Sequence, residues 1–180
     1  MRFLLTALLL IALPSQAAQV EIKTADGQSL VMLSDVIVPG DAARLEQALA
    51  QIGNNPLVYL DSRGGDVDEG MALGRMLRRH GAIVSYGYCA SSCVFAFLGG
   101  VKRLANSRSG AYINVHRPQL AEAYVASPSP FAKRMLDMLR DYTVEMIGSD
   151  DFYNEMMRIP FSAPQFLPIA TLRSMNVLTQ

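Results

Sequence analysis

The sequence predicts an α/β protein in which βαβ units are followed by a helical part. Short β-branched and aromatic runs alternate with segments of helical periodicity over residues 19–115, as they do when helices join parallel strands. Residues 126–130 then form a proline- and serine-containing loop, and beyond it the periodicity is helical only.

The predicted strands are short and bounded by turn-forming residues. They lie at 19–23, 29–33, 57–60, 83–88 and 111–115, with an edge segment at 102–104. The predicted helices carry leucine, alanine or methionine at helical spacing. They lie at 42–52, from the Asp66 cap to Arg79, at 92–98, at 131–147 and in a shorter stretch ending at 158, and a last one starts at 162–164 and closes the chain over 168–176.

The N-terminus has the pattern of a secretory signal peptide over residues 1–17. An arginine precedes an apolar core at 3–13 that is too short to span a bilayer. We expect cleavage after Ala17, with Ala18 as the alternative, and an uncleaved membrane anchor is the competing interpretation. The remaining chain, 18–180, is then one domain exported to a periplasm or secreted.

The charge balance excludes several classes of partner. Arg2 leaves with the signal, so of the 16 basic residues 15 remain against 16 acidic ones. Such a balance provides no electrostatic footprint for nucleic acid or for an acidic membrane surface. We therefore expect no nucleic-acid partner, and no membrane partner after signal cleavage.

Two cysteines flank a serine pair in the segment Cys89-Ala90-Ser91-Ser92-Cys93. In an oxidising compartment the two thiols could form a disulfide, and two buried free thiols are the alternative. Their spacing with His80 and His116 fits no zinc finger or ribbon. We therefore expect neither a metal nor another cofactor.

The serine pair lies where the predicted strand 83–88 meets the predicted helix 92–98. Acyl-transfer enzymes place a nucleophile at such a junction, because free backbone N–H groups there can stabilise an oxyanion. The alternative is that Ser91 or Ser92 only caps the helix. His116 ends the strand 111–115 and could face a cleft there, or it could be a surface histidine.

Three segments occur in a fixed order along the chain. They are Asp61-Ser62-Arg63-Gly64-Gly65 with Gly70-Met71-Ala72, Ala90-Ser91-Ser92-Cys93, and Val115-His116-Arg117-Pro118. Together they resemble the proteolytic subunit of the Clp protease, a serine peptidase of the crotonase-like superfamily, and the 25-residue separation of Ser91 and His116 fits it too. The resemblance is good over residues 28–120 and implies a ClpP/crotonase-like spiral of βαβ units with a C-terminal helical part.

The resemblance implies a role for each matching residue. Ser91 becomes the nucleophile, with Ser92 as its competitor, and His116 becomes the general base. The backbone N–H groups of Gly65 and Ser92 become the oxyanion hole. Asn154 takes the position of the third triad member.

The chain departs from the family pattern in three ways. Cys93 stands where the family has glycine, and the segment after His116 is shorter. Asn154 is reached by matching Phe161-Ser162-Ala163, and it replaces an aspartate. Asp150 and Asp151 are the alternatives for the third member.

The predicted function is that of an exported serine peptidase that cleaves peptides or unfolded proteins without ATP, since a periplasm contains none. By analogy with the rings and trimers of the superfamily, we expect a homo-oligomer. A non-catalytic peptide- or protein-binding module on the same scaffold is the main alternative. An acyl-CoA enzyme fits neither export nor the serine–histidine pair.

Overall fold

A computed structural model describes residues 17–25, 27–105, 112–127 and 129–179. Apart from Ala17, the predicted signal peptide lies outside the described residues. In these ranges seven strands form one sheet, and seven helices accompany it. The strands are β1 Gln19–Ala25, β2 Gln28–Ile37, β3 Leu57–Gly65, β4 Ile83–Ala90, β5 Lys102–Leu104, β6 Tyr112–Val115 and β7 Gln165–Phe166. The helices are α1 Asp41–Leu49, α2 Val67–Arg79, α3 Ser92–Leu98, α4 Gln119–Ala126, α5 Pro130–Ile147, α6 Asp151–Arg158 and α7 Ile169–Ser174.

The strand order confirms the predicted α/β class. The sheet runs β1-β2-β3-β4-β6-β7, and β5 pairs with β4 off this path. The inner strands β2, β3, β4 and β6 are parallel to one another, whereas the edge strands β1 and β7 are antiparallel to β2 and β6. Helices α1 and α2 are the crossovers that join β2 to β3 and β3 to β4.

The pairing of β4 changes along its length. Its first residues, from Ile83 to Ser85, pair with β5, and its last residues, from Tyr88 to Ala90, pair with β6. Ala90 lies opposite Asn114, so the carboxyl ends of β4 and β6 are adjacent. Residues distant in sequence, Ser91 and His116, therefore leave the sheet at neighbouring points.

The buried helix predicted after the serines is confirmed as α3, and all seven of its residues are buried. It packs against β3, β4, α2 and α5. Apolar side chains on every face allow a helix to lie inside the core in this way. The helix thus fixes the chain that follows Ser91.

The start of α2 is capped by Asp66, as predicted. The Asp66 side chain accepts a hydrogen bond from the Glu69 N–H at 2.8 Å. The Glu69 carboxylate does not return to the cap, because it accepts from the Ala42 N–H at 2.6 Å instead. It therefore links the first turns of α1 and α2, next to the end of β3.

The structure corrects three expectations about secondary structure. The strand predicted at 57–60 is longer, because β3 runs to Gly65 and includes the glycine pair. Helix α4 was not predicted at all. The last helix begins at Ile169 rather than at 162–164, because residues 161–163 turn and lead into β7.

The C-terminal segment is held by a buried arginine. The Arg103 guanidinium donates to the backbone oxygens of Gly100 at 2.6 Å, Asn176 at 2.8 Å and Val177 at 2.9 Å. Burial, with the nearby positive charge of Arg78, lowers the pKa of Arg103 to about 10. Backbone oxygens thus take the place of a carboxylate partner.

In the described ranges no helix is both long and apolar enough to cross a bilayer.

Candidate active site

The junction of β4 and α3 forms a strained turn, which we call the elbow (residues 89–93). Ser91 lies at its centre with φ +54° and ψ −127°, a conformation that side-chain-bearing residues rarely adopt. Such a residue costs about 1–3 kcal/mol and persists only where its surroundings determine it. The Ser91 N–H donates to the Asn114 oxygen at 3.2 Å, which fixes the elbow to the end of β6.

The structure distinguishes the two serines. Ser91 is partly exposed, and its side chain makes no capping hydrogen bond to α3. The capping interpretation therefore does not account for it. Ser92 is fully buried and its hydroxyl finds no partner within the described residues. Only the Ser91 hydroxyl is accessible to a substrate.

The glycine pair of β3 packs directly against the elbow. A Cβ atom on Gly64 would lie 2.6 Å from the Ala90 oxygen and 2.8 Å from the Ser91 Cβ. Gly64 also has φ +89°, a backbone conformation that favours glycine. A side chain at this position would therefore displace Ser91.

Gly65 ends β3 and lies opposite Ile37 of β2 in the ladder. The Asp66 N–H donates to the Ile37 oxygen at 2.9 Å, so the chain that follows Gly65 stays bound to β2. The Ser92 N–H is at the first position of α3 and lacks an intrahelical partner.

The two cysteines form a disulfide across the elbow, which confirms that alternative over free thiols. Cys89 lies near the end of β4 and Cys93 lies in α3, and their Cα atoms are 5.4 Å apart. Both residues are fully buried. The bridge therefore links the elements on either side of Ser91.

His116 follows β6, and its ring is held on two sides. Nδ1 lies 2.9 Å from the Arg117 oxygen. A carbonyl oxygen only accepts, so this contact favours the tautomer with its proton on Nδ1, in which the Nε2 lone pair is available. The Phe161 ring meets the imidazole edge-on, with centroids 4.9 Å apart and planes at 86°.

Ser91 and His116 line the same small pocket, with a cavity volume of about 20 Å³. The other lining residues are apolar: Val67, Val94, Phe95, Val115, Pro118, Phe152 and Met156. No hydrogen bond joins the serine to the histidine among the contacts of the described residues. The pocket therefore brings together the two predicted groups, a hydroxyl and an imidazole, in a largely apolar setting.

The structure does not bring Asn154 to the imidazole. Phe152 and Met156, four residues apart on α6, face the pocket, so Asn154 lies on the other side of that helix. It is exposed, and its amide donates to Asp150 at 3.2 Å. Asn154, which sequence matching selected, therefore lies on the face of α6 opposite the pocket.

The two alternative third members have other partners as well. The Asp150 carboxylate accepts from Arg140 at 2.7 Å. The Asp151 carboxylate accepts from the Ser149 hydroxyl at 2.7 Å. What holds the ring is instead the Arg117 oxygen and Phe161, which the sequence did not single out for this purpose.

Comparisons with known proteins bear on the fold. No protein-family model matches the chain, and no curated protein sequence matches it. A solved structure of a ClpP1 point mutant from Listeria monocytogenes matches with a TM-score of 0.64 and 17% identity, covering 83% of this chain and 88% of that one. The chain has a ClpP-like fold. At this identity the ClpP-like scaffold is established, and its chemistry has to be argued from the site.

Proposed function

We propose that this ClpP-like chain is an exported serine peptidase in which Ser91 attacks the peptide carbonyl and His116 acts as general base. One observation carries the proposal: Ser91 holds a strained backbone conformation at a strand-to-helix elbow and lines the pocket that His116 also lines. Backbone strain of this kind concentrates at functional sites. A serine that only packed or capped would relax to an ordinary conformation.

The chemistry follows from the protonation state of the ring. Nε2 takes the proton of the Ser91 hydroxyl as its oxygen bonds to the peptide carbonyl carbon. The Gly65 and Ser92 N–H groups donate to the oxyanion that forms. Nε2 then returns the proton to the leaving amine, and water releases the acyl group from Ser91 by the same route.

The Arg117 carbonyl takes over part of the role predicted for Asn154. It keeps the proton on Nδ1, which leaves Nε2 available to Ser91. A neutral carbonyl stabilises the imidazolium less than a carboxylate would. We therefore expect a modest kcat compared with an enzyme that has a complete triad.

Export and independence from ATP belong to the same proposal. A disulfide next to the nucleophile suits an oxidising compartment, and so does a signal peptide at residues 1–17. Expression of the full chain in a bacterium tests this point. The chain should be recovered from the periplasm with its N-terminus at Ala18, and recovery of the intact chain from the cytoplasm would contradict it.

Labelling with a fluorophosphonate probe tests the catalytic assignment. The wild type and Ser92→Ala should be labelled, whereas Ser91→Ala and His116→Ala should not. Ser92→Ala is the matched control, because it removes a neighbouring hydroxyl that is fully buried. Hydrolysis of a fluorogenic peptide without nucleotide should follow the same order, and labelling of Ser91→Ala would refute the assignment.

A non-catalytic peptide-binding module is the second candidate. It is favoured by the position of Asn154, which leaves the imidazole without a side-chain partner among the predicted third members. In that case the wild type would not be labelled, yet a labelled peptide would bind with increased fluorescence polarisation. Light scattering during size exclusion tests the expected homo-oligomer in either case.

A further inference from the structure

We propose that Glu122 is a positioning residue that holds the His116 ring from two sides. The inference rests on the proposed function, in which this ring is the general base. Glu122 lies on α4, a helix that the sequence did not predict, and it does not line the pocket. It acts through its two neighbours, Arg117 and Phe161.

A single carboxylate connects three points of the chain. Glu122 Oε1 accepts from Arg117 Nε at 2.8 Å, and Oε2 accepts from Arg117 Nη2 at 2.7 Å. Oε1 also accepts from the Phe161 N–H at 2.9 Å. The arginine is therefore held by a bidentate pair, whose two parallel bonds fix its orientation, and the backbone of Phe161 is bound to the same group.

Both of these neighbours touch the imidazole. The Arg117 oxygen accepts from Nδ1 at 2.9 Å, and the Phe161 ring contacts the imidazole edge-on at 4.9 Å between centroids. The Arg117 N–H donates to the Ile159 oxygen at 2.8 Å, so the segment after β6 is tied to the end of α6 as well. Glu122 thus binds both the residue that provides the hydrogen-bond acceptor and the residue that provides the aromatic wall of the ring.

The location of Glu122 indicates positioning rather than stability. The side chains of Glu122 and Arg117 are 36% and 24% exposed, and ion pairs near the surface add little to the free energy of unfolding. Their geometric effect falls directly on the ring, because Nδ1 must keep its proton for Nε2 to serve as base. The hydrogen bond from Arg117, and then that from the Phe161 N–H, lower the pKa of Glu122. The carboxylate therefore stays charged over the range in which an imidazole titrates.

The variants Glu122→Gln and Glu122→Ala test this role. Glutamine keeps an acceptor for the Phe161 N–H but loses the charge-assisted pair, whereas alanine loses both. We expect kcat for a fluorogenic peptide to fall in the order wild type, Gln, Ala, by about tenfold or more for Ala, with a smaller change in KM. Glu145→Gln is the matched control, since it removes a similar exposed pair with Arg75, and neither residue lines the pocket.

A spectroscopic readout separates positioning from folding and from catalysis. The chain has two histidines, so nitrogen NMR of labelled imidazoles resolves His116 with His80 as internal reference. Glu122→Ala should lower the Nδ1-protonated fraction of His116 and leave His80 unchanged, while urea unfolding changes no more than for Glu145→Gln. An unchanged His116 signal, or a fall in kcat matched by Glu145→Gln, would overturn the inference. If the wild type proves inactive the proposed function fails, yet the His116 signal still decides whether Glu122 positions the ring.

Discussion

Removal of the Cys89–Cys93 disulfide should destabilise the fold and slow the labelling of Ser91, and both effects can be estimated. The bridge closes a short loop, with a sequence separation of 4. Loop-closure entropy for so few residues is worth about 2 kcal/mol in the free energy of unfolding. Because both cysteines are fully buried, Cys89→Ala/Cys93→Ala loses that amount and some packing besides.

The effect on Ser91 follows from its strain. Its backbone conformation costs about 1–3 kcal/mol, and the bridge joins the residues on either side of it. Without the bridge a relaxed conformation of Ser91 competes with the strained one. A shift of 1–2 kcal/mol corresponds to a factor of about 5–30, so we expect fluorophosphonate labelling to slow by that factor.

The assay compares the double variant with a protein destabilised elsewhere. Leu45→Ala removes a fully buried side chain from α1, which lines no part of the pocket, and costs about 2–5 kcal/mol. Urea unfolding measures both losses, and labelling is measured where both variants are folded. Leu45→Ala should be labelled at the wild-type rate, and equal labelling of the double variant would refute the argument that the bridge holds Ser91.

The same geometry bears on redox control. A disulfide next to a nucleophile could act as a switch, but both sulfurs lie inside the core. A mild reductant added to the folded protein should therefore leave labelling unchanged over minutes. Rapid loss of labelling on reduction would show that the bridge is accessible and would support a redox switch.

Three further changes are expected to be informative. Gly64→Ala should abolish labelling, because its Cβ would lie 2.8 Å from the Ser91 Cβ. Gly53→Ala is the control, since Gly53 has φ +96° and no neighbour within 4 Å of an added Cβ. It should lower only the free energy of unfolding, which urea unfolding measures. Tyr142→Phe removes a buried hydrogen bond of 2.6 Å to the Phe95 oxygen and should lower the free energy of unfolding by about 1 kcal/mol with labelling retained. Arg103→Met leaves three buried backbone oxygens without their charged donor, so it should cost about 3 kcal/mol or more and make the C-terminal segment sensitive to limited proteolysis. Unchanged resistance to proteolysis would contradict this role of Arg103.

The parts of the fold that sequence reasoning found are those with a strong local signal. Alternating apolar runs and helical periods predicted the parallel strands, and a short run with apolar residues on every face predicted the buried helix α3. Helix α4 was missed because its residues alternate little in polarity and a single one, Ala121, is buried. Strand β7 has two residues, Gln165 and Phe166, and two residues cannot display a period.

In the candidate site, too, some residues could be predicted from local sequence patterns and others could not. Ser91 and His116 were recognisable because each sits at the end of a strand within a short motif of its own. The third member was not recognisable, because the contact that holds Nδ1 is a backbone oxygen, and every residue has one. Glu122 carried no signal either, since its role depends on where α4 and Phe161 meet in space.

The energetics of the elbow favour catalysis over passive binding. A groove that only holds peptides needs an apolar wall and strand edges, and neither requires a serine in a conformation that costs about 1–3 kcal/mol. Here that conformation is determined from three directions: by the disulfide, by the hydrogen bond to the Asn114 oxygen, and by Gly64 against the Ser91 Cβ. Each of these constraints acts on a residue that lines the same pocket as His116. Such convergence is what the proposed role of Ser91 as nucleophile requires.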